Sequence, residues 1–141
     1  SLESFIKTSG RTGLHIYVPV IRQFNYHAVH SAAKTICTFV QQRHPETITT
    51  EWVVEKRSGK VFLDYNQNLR GKTLASVYSP RPAPEATVSA PLSWGELGKV
   101  YPTDFTISNM SDRLTKLGDL WANILKAKRD LKTILDLSGS A

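Results

Sequence analysis

Cysteine is almost absent: the 141 residues contain one, Cys37. A single thiol cannot close an intrachain disulfide, so the fold is expected to rest on packing alone in a reducing cytoplasm. Long apolar runs are missing too. The best stretch, 14–20, is broken by His15 and lies far below the roughly 18 residues that cross a bilayer, so no span is predicted and no membrane partner is expected. No basic segment followed by an apolar one opens the chain, and the first residue is Ser1 rather than Met, so the chain is expected to be a portion of a longer polypeptide. Internal repeats and heptads do not occur. His27, His30 and His44 lack the spacing and the cysteine or carboxylate companions of a zinc site. There is no Gly-x-Ser-x-Gly elbow, and no Asp-x-Asp pair occurs anywhere.

What is present is globular in kind. Hydrophobic residues make up 40% and charged residues 21%, a balance that suits one folded domain and excludes a disordered tail or a fibre. Eighteen Lys and Arg against twelve Asp and Glu give a net charge of +6, which favours polyanionic partners without identifying one. The surplus is concentrated. Between Glu55 and Arg81 lie Lys56, Arg57, Lys60, Arg70, Lys72 and Arg81 against Glu55 and Asp64 alone, a local +4.

The pattern along the chain predicts mixed secondary structure. Leu14, Ile16, Val18 and Val20 alternate with His15, Tyr17 and Pro19, as in a half-buried strand whose second face carries His15. Asn25 can cap a helix in which Val29, Ala33, Ile36 and Val40 recur at helical spacing until His44 and Pro45 stop it. That repeat also makes Cys37 a buried thiol. A second strand is predicted from residue 60 or 61 to residue 65, with Asp64 projecting from it. The segment 78–91, with Pro80, Pro82, Pro84 and Pro91, reads as loop or sheet edge. A turn at 93–96 and a short segment at 105–107 precede a helix opening at Ser111 or Asp112, which Gly118 can split. An amphipathic helix over 127–137 closes the chain. The order implies an α+β domain with too few strands for a self-sufficient sheet. Trp52, Trp94 and Trp121 are scattered and read as packing residues.

Two constellations carry possible chemistry. In Ser9-Gly10-Arg11-Thr12-Gly13-Leu14-His15, two glycines allow backbone amides to converge on a phosphate, with Ser9, Arg11 and Thr12 as further donors. It is no Walker loop, since it runs into a strand and lacks Gly-Lys-Ser/Thr. From the spacing alone, a solvated loop with a satisfied strand histidine is the favoured reading. In Val61-Phe62-Leu63-Asp64-Tyr65-Asn66-Gln67-Asn68, a carboxylate on an apolar strand needs a cation, a metal or donors to offset its desolvation, so Asp64 is either ion-paired or functional.

Taken with Arg70-Gly71-Lys72-Thr73, Tyr78-Ser79-Pro80-Arg81, Pro91-Leu92-Ser93-Trp94 and Asp104-Phe105-Thr106-Ile107, these blocks resemble, in order, the archaeo-eukaryotic primase superfamily, and more closely the polymerase domain of bacterial DNA ligase D. The resemblance runs from Thr8 to about Leu125. It implies a primase-like mixed sheet flanked by helices, of which residues 1–141 form a single partial domain, the C-terminal portion. It also implies nucleotidyl transfer assisted by two divalent cations, manganese or magnesium. On that reading Asp64 is a catalytic metal carboxylate. His15 is catalytic and, with Ser9, Arg11, Arg57, Gln67 and Arg81, holds the incoming nucleoside triphosphate, so that Asp64 and His15 serve the same nucleotide tail. The implied partners are DNA ends or primer-template, the N-terminal half of the domain, a ligase module and Ku, in a bacterial, nucleoid-associated setting.

The sequence departs from the family pattern in two places. Thr12, with Arg11 beside it, stands where many relatives carry lysine. The Asp-x-Asp metal motif expected upstream of Ser9 is not in the chain, so the metal site is expected to be incomplete and the isolated chain inactive. A non-catalytic basic module binding nucleic acid or nucleotide, or one half of a split enzyme, accounts for the same charge.

Overall fold

The computed structural model describes residues 2–138. They divide into two compact units, one formed by residues 2–20 and 75–129, the other by residues 21–74 and 130–138.

The first unit is built on a three-stranded antiparallel sheet of order β2-β1-β5, with β1 Phe5–Thr8, β2 Leu14–Tyr17 and β5 Pro91–Leu92. The central strand is Phe-Ile-Lys-Thr, a segment without apolar alternation that the sequence reading passes over as a polar opening. Its Ile6 joins Val88, Ala90, Leu92, Phe105 and Met110 in the core. Thr8 is tied into that core at both ends: its N–H donates to Ala90 O at 2.9 Å and its Oγ1 donates to Val88 O at 3.1 Å. The proline-rich segment is therefore a loop only in its first part. Thr87, Val88, Ser89 and Ala90 are buried, because small side chains let this backbone pack against β1.

The strand predicted over 14–20 is shorter, and its packed face is the other one. Leu14 and Ile16 are 47% and 60% exposed, whereas His15 and Tyr17 are half-buried. Tyr17 meets Trp121 edge-on at 4.9 Å, Phe5 meets the same indole at 6.3 Å, and Trp121 Nε1 donates to Ile6 O at 3.2 Å. Aromatic packing on that face decides the orientation that alternation alone assigned to the aliphatic residues. The turn at 93–96 is a 3₁₀ turn, Trp94–Glu96, closed by a capping box between Ser93 and Glu96. Helix α2, Met110–Leu117, ends where Gly118 takes φ 69°, a left-handed conformation that glycine adopts without steric cost.

The second unit contains helix α1, Tyr26–Arg43, with Asn25 Oδ1 accepting from Ala28 N at 2.9 Å as its N-cap and His44 as its C-cap. Both ends agree with the sequence reading. A parallel two-stranded pair, β3 Ile48–Thr49 and β4 Val61–Phe62, follows. Helix α3, Lys132–Ser138, contacts α1. It starts later than predicted because Arg129 is drawn into a bridge with Val20, its N–H donating to Pro19 O at 3.0 Å.

Candidate functional site

In the first unit the Gly-bracketed loop connects β1 to β2 and is closed by Ser9. Its N–H donates to Gly13 O at 2.8 Å, and its Oγ accepts from the N–H groups of Arg11 and Gly13, both at 3.1 Å. Two of the loop amides expected to face a phosphate are thus turned inward. With both lone pairs of Oγ occupied, what Ser9 retains for a ligand is its O–H donor. Arg11 is exposed. Gly10 takes φ 70° in a buried position where a Cβ would overlap Arg81 Cγ, so glycine is what lets Arg81 lie against the loop.

Lys7 sits beneath this loop. It is 0% exposed, an unusual place for lysine, and β1–β2 pairing sets it directly across from His15. Lys7 Nζ lies 3.0 Å from His15 Nδ1 and 3.0 Å from Ala75 O, and it also donates to Ser89 Oγ. Three polar atoms surround Nζ, and none of them belongs to a carboxylate. Tyr17 lies beside it, its ring centroid 5.8 Å from Nζ. Burial, reinforced by the Arg81 charge, lowers the Lys7 pKa to about 8. Burial likewise lowers that of His15, with Lys7 and then Arg81 adding to the effect, so His15 is a neutral imidazole near pH 7. Arg81 is half-buried, and its Nε is buried without a hydrogen-bond partner among the described residues. The result is a concentration of positive charge with no anion of the described residues to balance it. Sequence reasoning finds His15, Ser9 and Arg81. It misses Lys7, whose only signal is a lysine directly ahead of Thr8-Ser9-Gly10 in a short β-compatible run.

The second unit carries the other three candidates. Asp64 does not project from a strand: β4 ends at Phe62, and Asp64 is exposed. Its Oδ1 accepts from Asn66 N and its Oδ2 from Gln67 Nε2, each at 3.0 Å. It makes no ion pair among the described residues, so in place of the ion-paired alternative stands a turn that Asp64 itself caps. Asp64 and Gln67 are thereby brought together. The turn is braced from α1, where His30 Nε2 lies 3.0 Å from Asn66 Oδ1 and the His30 ring meets Tyr65 at 5.3 Å. Burial raises the pKa of the Cys37 thiol, and the Asp64 charge raises it further. Arg57 belongs to a separate cluster: Nε donates to Glu51 O at 3.1 Å, Nη2 to Trp52 O at 2.9 Å, and the guanidinium lies 3.8 Å over the Phe62 ring. Trp52, expected to be a packing residue, meets Phe62 edge-on at 5.5 Å yet remains largely exposed.

Among the described residues no group of three or more His, Cys, Asp and Glu side chains can hold a metal ion. Asp64 has both oxygens engaged by neutral donors. These residues do not by themselves constitute a two-metal centre.

The mixed α/β architecture has clear relatives. Residues 1–121 match the family described as LigD, primase-polymerase domain. The chain is 35% identical over 121 residues to the multifunctional non-homologous end joining protein LigD of Mycolicibacterium smegmatis, covering 86% of this chain and 16% of that protein. It is also 35% identical over 119 residues to the bifunctional non-homologous end joining protein LigD of Bacillus subtilis, covering 83% of this chain and 20% of that one. Among solved structures, the polymerase domain from Mycobacterium tuberculosis ligase D in complex with DNA superposes with a TM-score of 0.80 at 29% identity, over 92% of this chain and 45% of that one. The chain belongs to the LigD primase-polymerase family. It spans about a fifth or less of the length of these two curated relatives.

Proposed function

We propose that this chain is the triphosphate-holding portion of a LigD-type DNA/RNA polymerase domain acting in bacterial end joining. The observation that carries the reading is the cluster of Lys7, His15 and Arg81 beside the Ser9 loop, positive charge without a counter-anion among the described residues, in a chain of this family. Buried or half-buried cations are ordinarily paired, and a polyphosphate tail supplies the missing partner. In this role Arg81 and Arg11 neutralise phosphate oxygens, His15 and Ser9 donate hydrogen bonds, and together they stabilise charge on the departing pyrophosphate.

In the second unit Asp64 is proposed as one carboxylate of a manganese or magnesium centre whose further ligands lie outside these 141 residues, with Arg57 and Gln67 as nucleotide contacts. Gln67, already hydrogen-bonded to Asp64, orients that carboxylate. DNA is the proposed polymeric partner, as in the M. tuberculosis structure. The N-terminal half of the domain, a ligase module and Ku complete the proposed assembly in a nucleoid-associated setting. On this account the chain alone does not polymerise. Incubation with primer-template, manganese and ribonucleotides should give extension only when the N-terminal portion of a LigD polymerase domain is supplied; robust extension by the chain alone contradicts it.

The lack of a metal-holding group among the described residues favours one competing reading, a non-catalytic module binding nucleic acid through charge. Single-strand binding that is salt-dependent, persists in Asp64→Ala and is not competed by nucleoside triphosphate would support that reading instead.

A further inference from the structure

We infer that Lys7 is a positioning residue for His15: it occupies Nδ1 as a hydrogen-bond donor, fixing the imidazole in the tautomer whose proton is on Nε2 and reserving that proton for a phosphate-bearing ligand. The inference deepens the proposed triphosphate site and rests on that reading for the ligand, though not for the tautomer.

The chemistry is constrained. A lysine ammonium has three donors and no acceptor, so His15 Nδ1, 3.0 Å from Nζ, must accept and cannot carry a proton. The direction of that bond is not adjustable, because the other two donors of Lys7 are spent on Ala75 O and Ser89 Oγ. Ser89 in turn donates to Thr8 O at 2.6 Å, which locks its oxygen as the acceptor facing Lys7. His15 Nε2–H is then the ring's one donor, and it has no protein partner among the described residues. The charged and titratable groups around the pair are Tyr17 from β2, at 5.8 Å from Lys7 Nζ, and Arg81 from the segment before Thr87. Neither carries a carboxylate that could take up the Lys7 proton. A histidine that must donate to an anion from one nitrogen is commonly oriented by a partner on the other. Here the partner is a cation, which keeps the ring neutral while adding its own charge to the field felt by the ligand.

The test has two arms, both on the 141-residue chain. In the first, ¹⁵N NMR of the His15 ring should show Nε2 protonated and Nδ1 unprotonated, with the Nδ1 signal moving in Lys7→Met and returning toward its original position in Lys7→Arg. A protonated Nδ1 in the unsubstituted chain overturns the inference, whether or not any variant folds. In the second, affinity for inorganic tripolyphosphate without metal is measured for Lys7→Met, His15→Gln and the double variant. Each single substitution should weaken binding about tenfold, the worth of a charge-assisted hydrogen bond. The double variant should lose less than the product of the two single losses, since part of the Lys7 effect runs through the His15 donor. Fully multiplicative losses, or a loss in His15→Gln with none in Lys7→Met, overturn the positioning role and leave the triphosphate reading standing. No loss in any variant overturns the triphosphate reading itself and, with it, the ligand assigned to His15.

Discussion

The burial of Lys7 predicts a specific alkaline stabilisation. Its pKa falls from the ordinary 10.5 to about 8 through burial and the nearby Arg81 charge. A lysine whose folded pKa is lowered has lost its proton between those values while the unfolded chain still holds one, so stability rises with pH across that window. Below about pH 8 both states are charged, and the cost of the buried ammonium is borne in full. The fall from 10.5 to about 8 corresponds to about 3 kcal/mol. Burial raises the pKa of Tyr17, Tyr78 and Cys37, and these groups act with the opposite sign as they ionise, so a reference variant is needed. Lys7→Met removes the titrating group and keeps the volume. In urea unfolding its stability relative to the unsubstituted chain should be highest near pH 7, where replacing a buried cation is often neutral or favourable. It should then fall by about 2 to 3 kcal/mol by pH 10. A difference that stays constant from pH 7 to pH 10 would show that Lys7 is not buried as a cation, and the charge argument for the site would fail.

Four further outcomes follow from the geometry. Gly10→Ala places a Cβ against Arg81 Cγ and 3.1 Å from Ser89 N at φ 70°, and should cost more than about 2 kcal/mol in thermal unfolding; a loss below half that would mean that the loop moves freely from Arg81. Arg113→Ala removes a 2.8 Å ion pair to Glu96, a hydrogen bond to Pro91 O and a guanidinium 4.8 Å from the Phe105 ring, at a cost of about 1 to 3 kcal/mol by urea titration. Because the hydrogen bond from Arg113 is the largest influence holding the Glu96 pKa below its ordinary 4.5, that stabilisation is present above about pH 4.5 and is lost as the pH falls through the lower folded value, so the parent and Glu96→Gln should converge in acid. Asp64→Asn keeps an acceptor for Asn66 N at an exposed turn and should leave the melting temperature unchanged while abolishing manganese-dependent enhancement of nucleotide binding in calorimetry. Retained enhancement would remove Asp64 from the metal assignment.

Local signals carried much of this fold into the sequence. The cap at Asn25, the stop at His44, the capping box at Ser93 and Glu96, and the break at Gly118 each depend on neighbours a few residues away, and all four are readable. What escapes is what long-range packing decides. Strand β1 hides because its Lys7 belongs to the core only by virtue of Ser89 and Ala75, far along the chain. The packed face of β2 is chosen by Trp121, roughly a hundred residues away. Asp64 sits two residues past the end of its strand because Asn66 and Gln67 satisfy it in a turn, a local alternative that period-two alternation does not reveal. Family resemblance names His15, Ser9 and Arg81, which the structure brings beside one loop, yet it gives no hint of Lys7, 3.0 Å from the His15 ring.

The central claim is that the Lys7, His15 and Arg81 cluster receives a nucleotide's phosphates. The most direct measurement is an NMR titration of the ¹⁵N-labelled chain with ATP, followed at the side-chain nitrogens of His15 and Arg81. The account predicts saturable shifts at both, reproduced by tripolyphosphate and absent with adenosine. ATP that leaves both side chains unmoved, or adenosine that moves them equally, contradicts it.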